Sequence, residues 1–168
     1  MAKTKRRFNS LLLAVMLLPS AAPARVGETE TALTKEFGEP TTRAMQNVMV
    51  KGKLIPSFPK LTYLHEGWKI TCILVDEKCE RTTYGRDGVW PEEEYARVLG
   101  ENAQGGAWSD DPKGGKLRTV KRSWIRSDGA TAEWRKNIGL TVITPAFVEA
   151  EKAVKDKARN NLRILPKD

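Results

Sequence analysis

Hydrophobic and polar residues alternate along three stretches in the first half of the chain, at residues 61–65, 68–75 and 79–84. This pattern is typical of strands that bury one face of a sheet. Short polar segments such as Glu66-Gly67 separate the stretches, so we expect tight turns and antiparallel pairing. Residues 40–60 hold three prolines and lack a clear period, and they predict at most an edge strand within residues 45–50.

The second half of the chain repeats this order of elements. Thr29 is a cap for one short helix, which Gly38 ends, and Pro91 begins a second short helix that ends before Gly100. Further strands are predicted at residues 117–126, 130–135 and 138–144, after a loop at 105–115. The sequence therefore predicts an α+β domain of short helices on an antiparallel sheet, and it allows two tandem helix-plus-hairpin halves, residues 25–88 and 89–144.

From Thr144 onward the pattern becomes helical, with Thr144 as the cap and Pro145 in the first turn. Apolar residues then recur every three or four positions, at Phe147, Ala150, Val154, Ala158 and Leu162. This spacing predicts an amphipathic C-terminal helix over residues 145–163. Its apolar stripe is expected to dock on one face of the sheet.

Residues 1–24 have the three-part layout of a secretory signal peptide. A cationic head precedes an apolar run at residues 11–18, and small residues end at Ala24. The run is far shorter than the ~20 residues that span a bilayer as a helix. We expect cleavage after Ala24, or after Ala22 as the alternative, which leaves a single secreted domain over residues 25–168. The other interpretation, a buried N-terminal helix, leaves the cationic head and Pro19 unexplained.

Composition and charge exclude several classes of function. The chain has 168 residues, 40% hydrophobic and 30% charged, which is ordinary for a globular domain. The net charge is +8, but four of the cations lie in the predicted leader, so the basicity of the mature chain supports no nucleic-acid partner. A single His and two Cys exclude most metal sites and His-based catalysis. We therefore expect no enzyme, no metal and no cofactor.

Cys72 and Cys79 lie on two predicted strands that a polar turn joins. A tight turn at Asp76-Glu77 places Leu74 opposite Cys79 and leaves Cys72 as the diagonal neighbour, roughly 7–8 Å away. A wider loop places the two cysteines directly opposite each other, within disulfide range. Export favours oxidation, so a disulfide and two buried thiols remain the alternatives.

His65, the single histidine, is the candidate base for a cysteine nucleophile. It ends one predicted strand, and a tight hairpin pairs it with Trp68 and pairs Leu61 with Cys72. The imidazole and the Cys72 thiol then lie some 13 Å apart, which is too far for a nucleophile and its base. We expect His65 to be a strand residue at the solvent edge.

Residues 113–136 are rich in cations and contain Trp124 and Trp134. A three-residue turn centred on Asp128 pairs Trp124 with Ala132 and Trp134 with Arg122, which places both indoles on one sheet face. One interpretation makes this face the core beneath the C-terminal helix, with the arginines exposed at the sheet edge. The alternative makes it an exposed binding surface. The residues of that surface are Trp124, Trp134, Arg118, Arg122 and Arg126.

A phrase near the start of the domain carries a resemblance to a known group. It consists of Gly27-Glu28-Thr29, Leu33 and Phe37-Gly38-Glu39-Pro40, and a strand pair led by Trp68 follows it. The phrase resembles the SmpA/OmlA (BamE-type) outer-membrane assembly lipoproteins, and also small uncharacterised bacterial secreted proteins that open in the same way. The resemblance implies a β-lactamase-inhibitor-protein-like fold, sometimes a tandem pair, and a non-enzymatic protein-binding scaffold.

The chain departs from those lipoproteins in one respect. They carry an acylated Cys directly after the signal peptide, and this chain has no Cys directly after its predicted leader. We therefore expect an exported module, periplasmic or extracellular, without stable membrane insertion after signal cleavage. Its expected partner is another envelope protein, which it binds through a sheet face or edge. The alternative is binding of an envelope polysaccharide or peptidoglycan, the cell-wall glycan, through the Trp/Arg face.

Overall fold

The computed structural model describes residues 25–88, 90–112 and 121–164, so the predicted leader and its cleavage site lie outside the described residues. These residues form three helices and eight strands. In chain order they are α1 Glu30–Phe37, β1 Thr42–Val50, β2 Lys53–His65, β3 Trp68–Val75, β4 Lys78–Gly85, α2 Glu92–Glu101, β5 Trp108–Asp110, β6 Lys121–Arg126, β7 Thr131–Arg135, β8 Gly139–Ile143 and α3 Pro145–Ile164.

The eight strands form one antiparallel sheet in the order β1-β2-β3-β4-β8-β7-β6-β5. A helix followed by four strands occurs twice along the chain, and the second set of strands enters the sheet in reverse order. The last strands of the two sets, β4 and β8, therefore pair with each other at the centre. The predicted α+β class is confirmed in this broad sense, with more strand than helix.

The hairpin registers follow from the polar turns. His65 pairs with Trp68 and Leu61 with Cys72, as the tight turn predicts. Trp124 pairs with Ala132 and Arg122 with Trp134, as the turn at Asp128 predicts. In the β3–β4 turn both Asp76 and Glu77 have positive φ, which is the conformation of a two-residue hairpin turn.

One face of the sheet, here called the tryptophan face, carries the larger core. Tyr63, Cys72, Tyr84, Trp124 and Val142 project from it and are buried. Helices α1 and α2 cover this face, and their buried side chains join the same cluster. The apolar residues of both halves thus share one continuous core.

The other face, here called the α3 face, is covered over the first set of strands. Phe147, Ala150, Val154 and Ala158 of α3 pack on a second cluster that includes Val48 and Phe58. The prediction that this helix covers the tryptophans is wrong, because α2 already occupies the tryptophan face. Helix α3 docks instead where the sheet offers its remaining apolar residues.

A β-bulge in β4 decides which residues reach the α3 face. Leu74 pairs with Cys79, but Ile73 pairs with Arg81, so Glu80 is an extra residue without a cross-strand partner. The bulge keeps Cys79 and Thr82 together on the tryptophan face, where Cys79 Sγ lies 3.0 Å from Thr82 Oγ1. It also turns Arg81 onto the α3 face. Glu80 in turn accepts a 2.5 Å hydrogen bond from Thr144 Oγ1, just before α3 begins.

Candidate functional site

The first candidate surface lies on the β1–β2 hairpin. Strand β3 pairs with β2 only from Lys60 onward, so the part of the hairpin between Met45 and Pro59 extends beyond the sheet as an arm. On the α3 face of the arm, Val48 and Val50 are buried beneath α3. The arm is therefore a two-stranded ribbon with one face covered by a helix.

The other face of the arm carries five apolar side chains that we call the arm patch. Met45 pairs with Pro59 and Met49 with Leu54, while Pro56 lies between these pairs. Met45 is 49% exposed, Met49 57% and Leu54 61%, and both prolines are exposed. Contiguous exposed apolar residues mark interaction surfaces, and methionine side chains adapt to varied partners. The sequence pattern missed this patch, because the two prolines obscured the start of β2.

The second candidate surface is a groove of about 380 Å³ on the α3 face of the second set of strands. Helix α3 leaves this part of the sheet open, and the side chains that line the groove are mostly polar. The charged and hydroxyl-bearing residues that line it are Arg81, Asp111, Lys121, Ser123, Thr131, Glu133, Arg135 and Thr141. The sequence predicted none of them as site residues.

Arg81 is the unusual residue of this groove. Its guanidinium lies 5.6 Å from the centre of the Phe147 ring at the start of α3. Burial lowers the pKa of Arg81, an effect that the nearby Glu151 carboxylate opposes. Its Nε is shielded from solvent without a hydrogen-bond partner, and no ion pair joins the guanidinium to any residue in the described part of the chain. Ser123 Oγ is similarly buried without a partner there.

The other charged residues of the groove are Asp111, Lys121, Glu133 and Arg135, and each of them has a partner. Glu133 receives Lys121 Nζ at 2.6 Å and also binds the Arg135 guanidinium. Burial alone would raise the pKa of Glu133, but the hydrogen bonds from Lys121 and Arg135 outweigh it, and the net pKa is lowered. Glu133 is therefore an ionised, doubly paired carboxylate, and Arg81 remains the cation without a counter-charge in hydrogen-bonding contact among the described residues.

The residues predicted as a Trp/Arg surface lie mainly in the core. Trp124 is buried, and Trp134 is half-buried with its ring 5.6 Å from that of Tyr95 on α2. The interpretation of this face as an exposed binding surface is therefore corrected in favour of the core interpretation. The physical reason is that α2 brings Tyr95, Val98 and Leu99 onto the same face, where the indoles bury their large apolar area.

The arginines of that predicted surface are satisfied within the protein. Arg122 donates to both carboxylate oxygens of Glu92 on α2, at 2.5 and 2.9 Å. The expectation that Arg126 is exposed is wrong, since it is buried, binds the Asn102 carbonyl and donates twice to Asp128. Arg118 lies outside the described residues. Arg122 and Arg126 thus tie strand β6 to its surroundings and are not available to a ligand.

Both cysteines are buried free thiols. The tighter turn is the one observed, with Leu74 opposite Cys79, while Cys72 lies opposite Thr82 because of the bulge. The hydrogen bond with Cys79 and burial together raise the pKa of Cys72 well above its ordinary value. This environment suits packing and not nucleophilic chemistry.

His65 lies at the end of β2, as its pairing predicts, but it is half-buried against Phe37. The two rings are 5.1 Å apart in an edge-to-face arrangement. Its Nε2 is shielded and has no hydrogen-bond partner among the described residues, with the Glu66 carboxylate 4.0 Å away. The imidazole therefore contributes to packing at this edge of the core.

Comparisons with known proteins identify no family for this chain. No protein-family model matches it, and no curated protein matches it. Among solved structures it is similar to an extracellular protein containing a SCP domain from Bacillus anthracis str. Ames, with 11% identity and a TM-score of 0.38. The similarity covers 90% of this chain and 53% of that one, so the chain spans about half that protein's length. A likeness at this level carries no argument about fold or function.

Within residues 25–88, 90–112 and 121–164, no helix is both long enough and apolar enough to cross a bilayer.

Proposed function

We propose that the protein is an exported, non-enzymatic module that binds another protein of the bacterial envelope through the arm patch. The observation that carries this proposal is the group of five exposed apolar side chains on the uncovered face of the arm. These side chains lie on a segment where β1 and β2 have only each other as strand neighbours, and Asn47, opposite Pro56, is the polar residue among them. A partner that covers the patch would remove this apolar area from water.

The order of elements supports a further part of the proposal. A helix and four strands occur twice, which fits two tandem halves and the inhibitor-protein-like group that the opening phrase resembles. Export rests on the leader-like composition of residues 1–24. We expect the mature protein to begin at Arg25, and N-terminal sequencing of the protein from a native envelope fraction tests that point.

The binding proposal is tested with a matched pair of leucines on β2. Leu54 belongs to the arm patch and is 61% exposed, whereas Leu64 is 64% exposed at the other end of the strand. A photo-reactive residue in place of Leu54 is expected to cross-link an envelope protein in the native cell. The same residue in place of Leu64 is expected not to give that product.

A second substitution checks that the patch itself is responsible. Met49→Lys in the Leu54-labelled protein is expected to lower the yield of the cross-link about tenfold or more, because a charge replaces an apolar contact. Circular dichroism and the melting temperature should stay unchanged, since Met49 is exposed. Equal cross-linking from both positions would refute the proposal. Retention on purified cell wall, unaffected by Met49→Lys, would favour the glycan alternative.

A further inference from the structure

We infer that the groove on the α3 face is a binding site for a single carboxylate group, with Arg81 as its principal anchor. This site is separate from the arm patch and does not depend on the proposed function. The inference rests on an unpaired guanidinium, a groove of suitable size and the charge of the surrounding residues.

The first observation is the state of Arg81. An arginine that is half withdrawn from water normally recovers the lost hydration through hydrogen bonds or an ion pair. Arg81 has neither among the described residues, and its aromatic neighbour Phe147 offers only the face or edge of a ring. A planar carboxylate matches the guanidinium fork and can accept two hydrogen bonds from it.

The second observation is the groove itself, whose volume of about 380 Å³ fits a small ligand or the end of a longer one. Arg81 pairs across the sheet with Ile143, and Ile143 pairs with Thr131. Ile143 therefore places an apolar side chain between Arg81 and Thr131 on this face. The shielded Ser123 Oγ, without a partner in the described chain, provides a further donor deeper in the groove.

The third observation selects a carboxylate over a more highly charged anion. Lys121 and Arg135 are engaged with Glu133, and Asp111 also lines the groove, so the groove offers one unpaired cation, Arg81, beside two carboxylates that already have partners. A doubly charged phosphate or sulfate would be repelled by Glu133 more strongly than a carboxylate. A monoanion balances the charge of Arg81 without an excess.

The test is a titration followed by NMR chemical shifts of the Arg81, Thr131 and Thr141 amides. Three probes are used: acetyl-alanyl-alanine as a peptide carboxylate, glucuronate as a sugar carboxylate, and inorganic sulfate. We expect saturable shifts with at least one carboxylate, and which of the two binds more tightly identifies the source of the ligand. Sulfate should bind about tenfold more weakly or not at all.

Two variants of Arg81 and one control complete the experiment. Arg81→Met should abolish the shifts, and Arg81→Lys should weaken binding about fivefold or more because the ammonium lacks the planar fork. Arg159→Met is the control, since Arg159 is an exposed arginine on α3 and pairs with Asp156. It should leave binding unchanged.

The folding of the variants is checked by thermal melting without ligand. Arg81→Met should melt at the wild-type temperature or above it, because no hydrogen bond in the described chain is lost and a partly buried charge is removed. Carboxylate should raise the melting temperature of the wild type and of Arg159→Met, but not that of Arg81→Met. A variant that melts well below the wild type, binding that survives Arg81→Met, equally tight sulfate binding, or no saturable shift with either carboxylate would each overturn the inference.

Discussion

Asp128 is predicted to stabilise the domain through the buried arginine that it faces. It lies in the β6–β7 turn and accepts hydrogen bonds from Arg126 Nε at 2.8 Å and Nη2 at 2.7 Å. It also accepts the Ala130 amide at 3.1 Å. The Arg126 side chain is 2% exposed and the Asp128 side chain 52%. The hydrogen bonds from Arg126, more than any other interaction, lower the pKa of Asp128 from 3.8 to about 2.

The loss in free energy of unfolding expected for Asp128→Asn lies between two limits. A pKa depression of this size corresponds to about 2.5 kcal/mol for a shielded group, and screening of a half-exposed carboxylate reduces this to about 1 kcal/mol. Leaving a buried charge without any partner costs about 3–5 kcal/mol. Arg126 keeps its hydrogen bond to the Asn102 carbonyl, so the loss should be smaller. We expect Asp128→Asn to lower the free energy of unfolding by about 2 kcal/mol at pH 7.

The stability difference between wild type and Asp128→Asn should depend on pH, and its direction follows from the pKa shift of Asp128. The pKa of Asp128 is lower in the folded state, so its stabilisation is complete above pH 4 or so and is lost as the pH falls through about 2. Urea denaturation of wild type and variant should therefore show a difference that shrinks towards pH 2. Asp156→Asn is the matched control, because Asp156 is 53% exposed but its partner Arg159 is 58% exposed. Equal losses in the two variants, or a difference independent of pH, would refute the reasoning.

Three further predictions follow from packing. Phe147→Ala should lower the free energy of unfolding by about 3–4 kcal/mol in chemical denaturation, because this ring of α3 is buried against the sheet. Val148→Ala should lower it by less than about 0.5 kcal/mol, because Val148 is half-exposed. Gly139→Ala should destabilise the domain strongly in the same assay, because Gly139 has φ +99° and a Cβ there would overlap the Tyr84 carbonyl. Iodoacetamide should alkylate Cys72 only after unfolding, because the hydrogen bond with its neighbouring thiol and burial raise its pKa, and mass spectrometry checks this.

The hairpins could be predicted from the sequence because their determinants are local. Alternating apolar residues and a two-residue polar turn are enough to pair His65 with Trp68. The first part of β2 was missed because Pro56 and Pro59 weaken a strand prediction. They are tolerated because β3 does not pair with this part of β2, so the missing N–H groups interrupt no ladder on that side. That fact depends on sheet topology, which the local pattern does not contain.

The candidate sites could likewise be predicted only in part, because they depend on packing that the local pattern does not contain. The period of two correctly predicted that Trp124 and Trp134 share a face, but it does not say which helix covers that face. The burial of Arg126 depends on Asp128 and on the Asn102 carbonyl, which approaches from the end of α2. The position of Arg81 in the groove depends on a single extra residue in β4. A one-residue bulge is not visible in a hydrophobic pattern, and the groove was therefore not predicted.

A comparison of the two faces of the sheet distinguishes the side chains that exposure to water explains from those that a bound ligand explains. Helices α1 and α2 cover the tryptophan face, whereas α3 packs only on the cluster of the first set of strands. The uncovered strands must then carry hydroxyl and charged residues on the α3 face, and Thr141 and the paired Glu133 fit that requirement. A shielded guanidinium nitrogen does not fit it, because Arg81 loses hydration to Phe147 and regains no hydrogen bond in the described chain. Exposure to water accounts for Thr141 and Glu133 but not for the shielded Arg81 Nε or Ser123 Oγ, and a bound carboxylate supplies Arg81 with the missing partner.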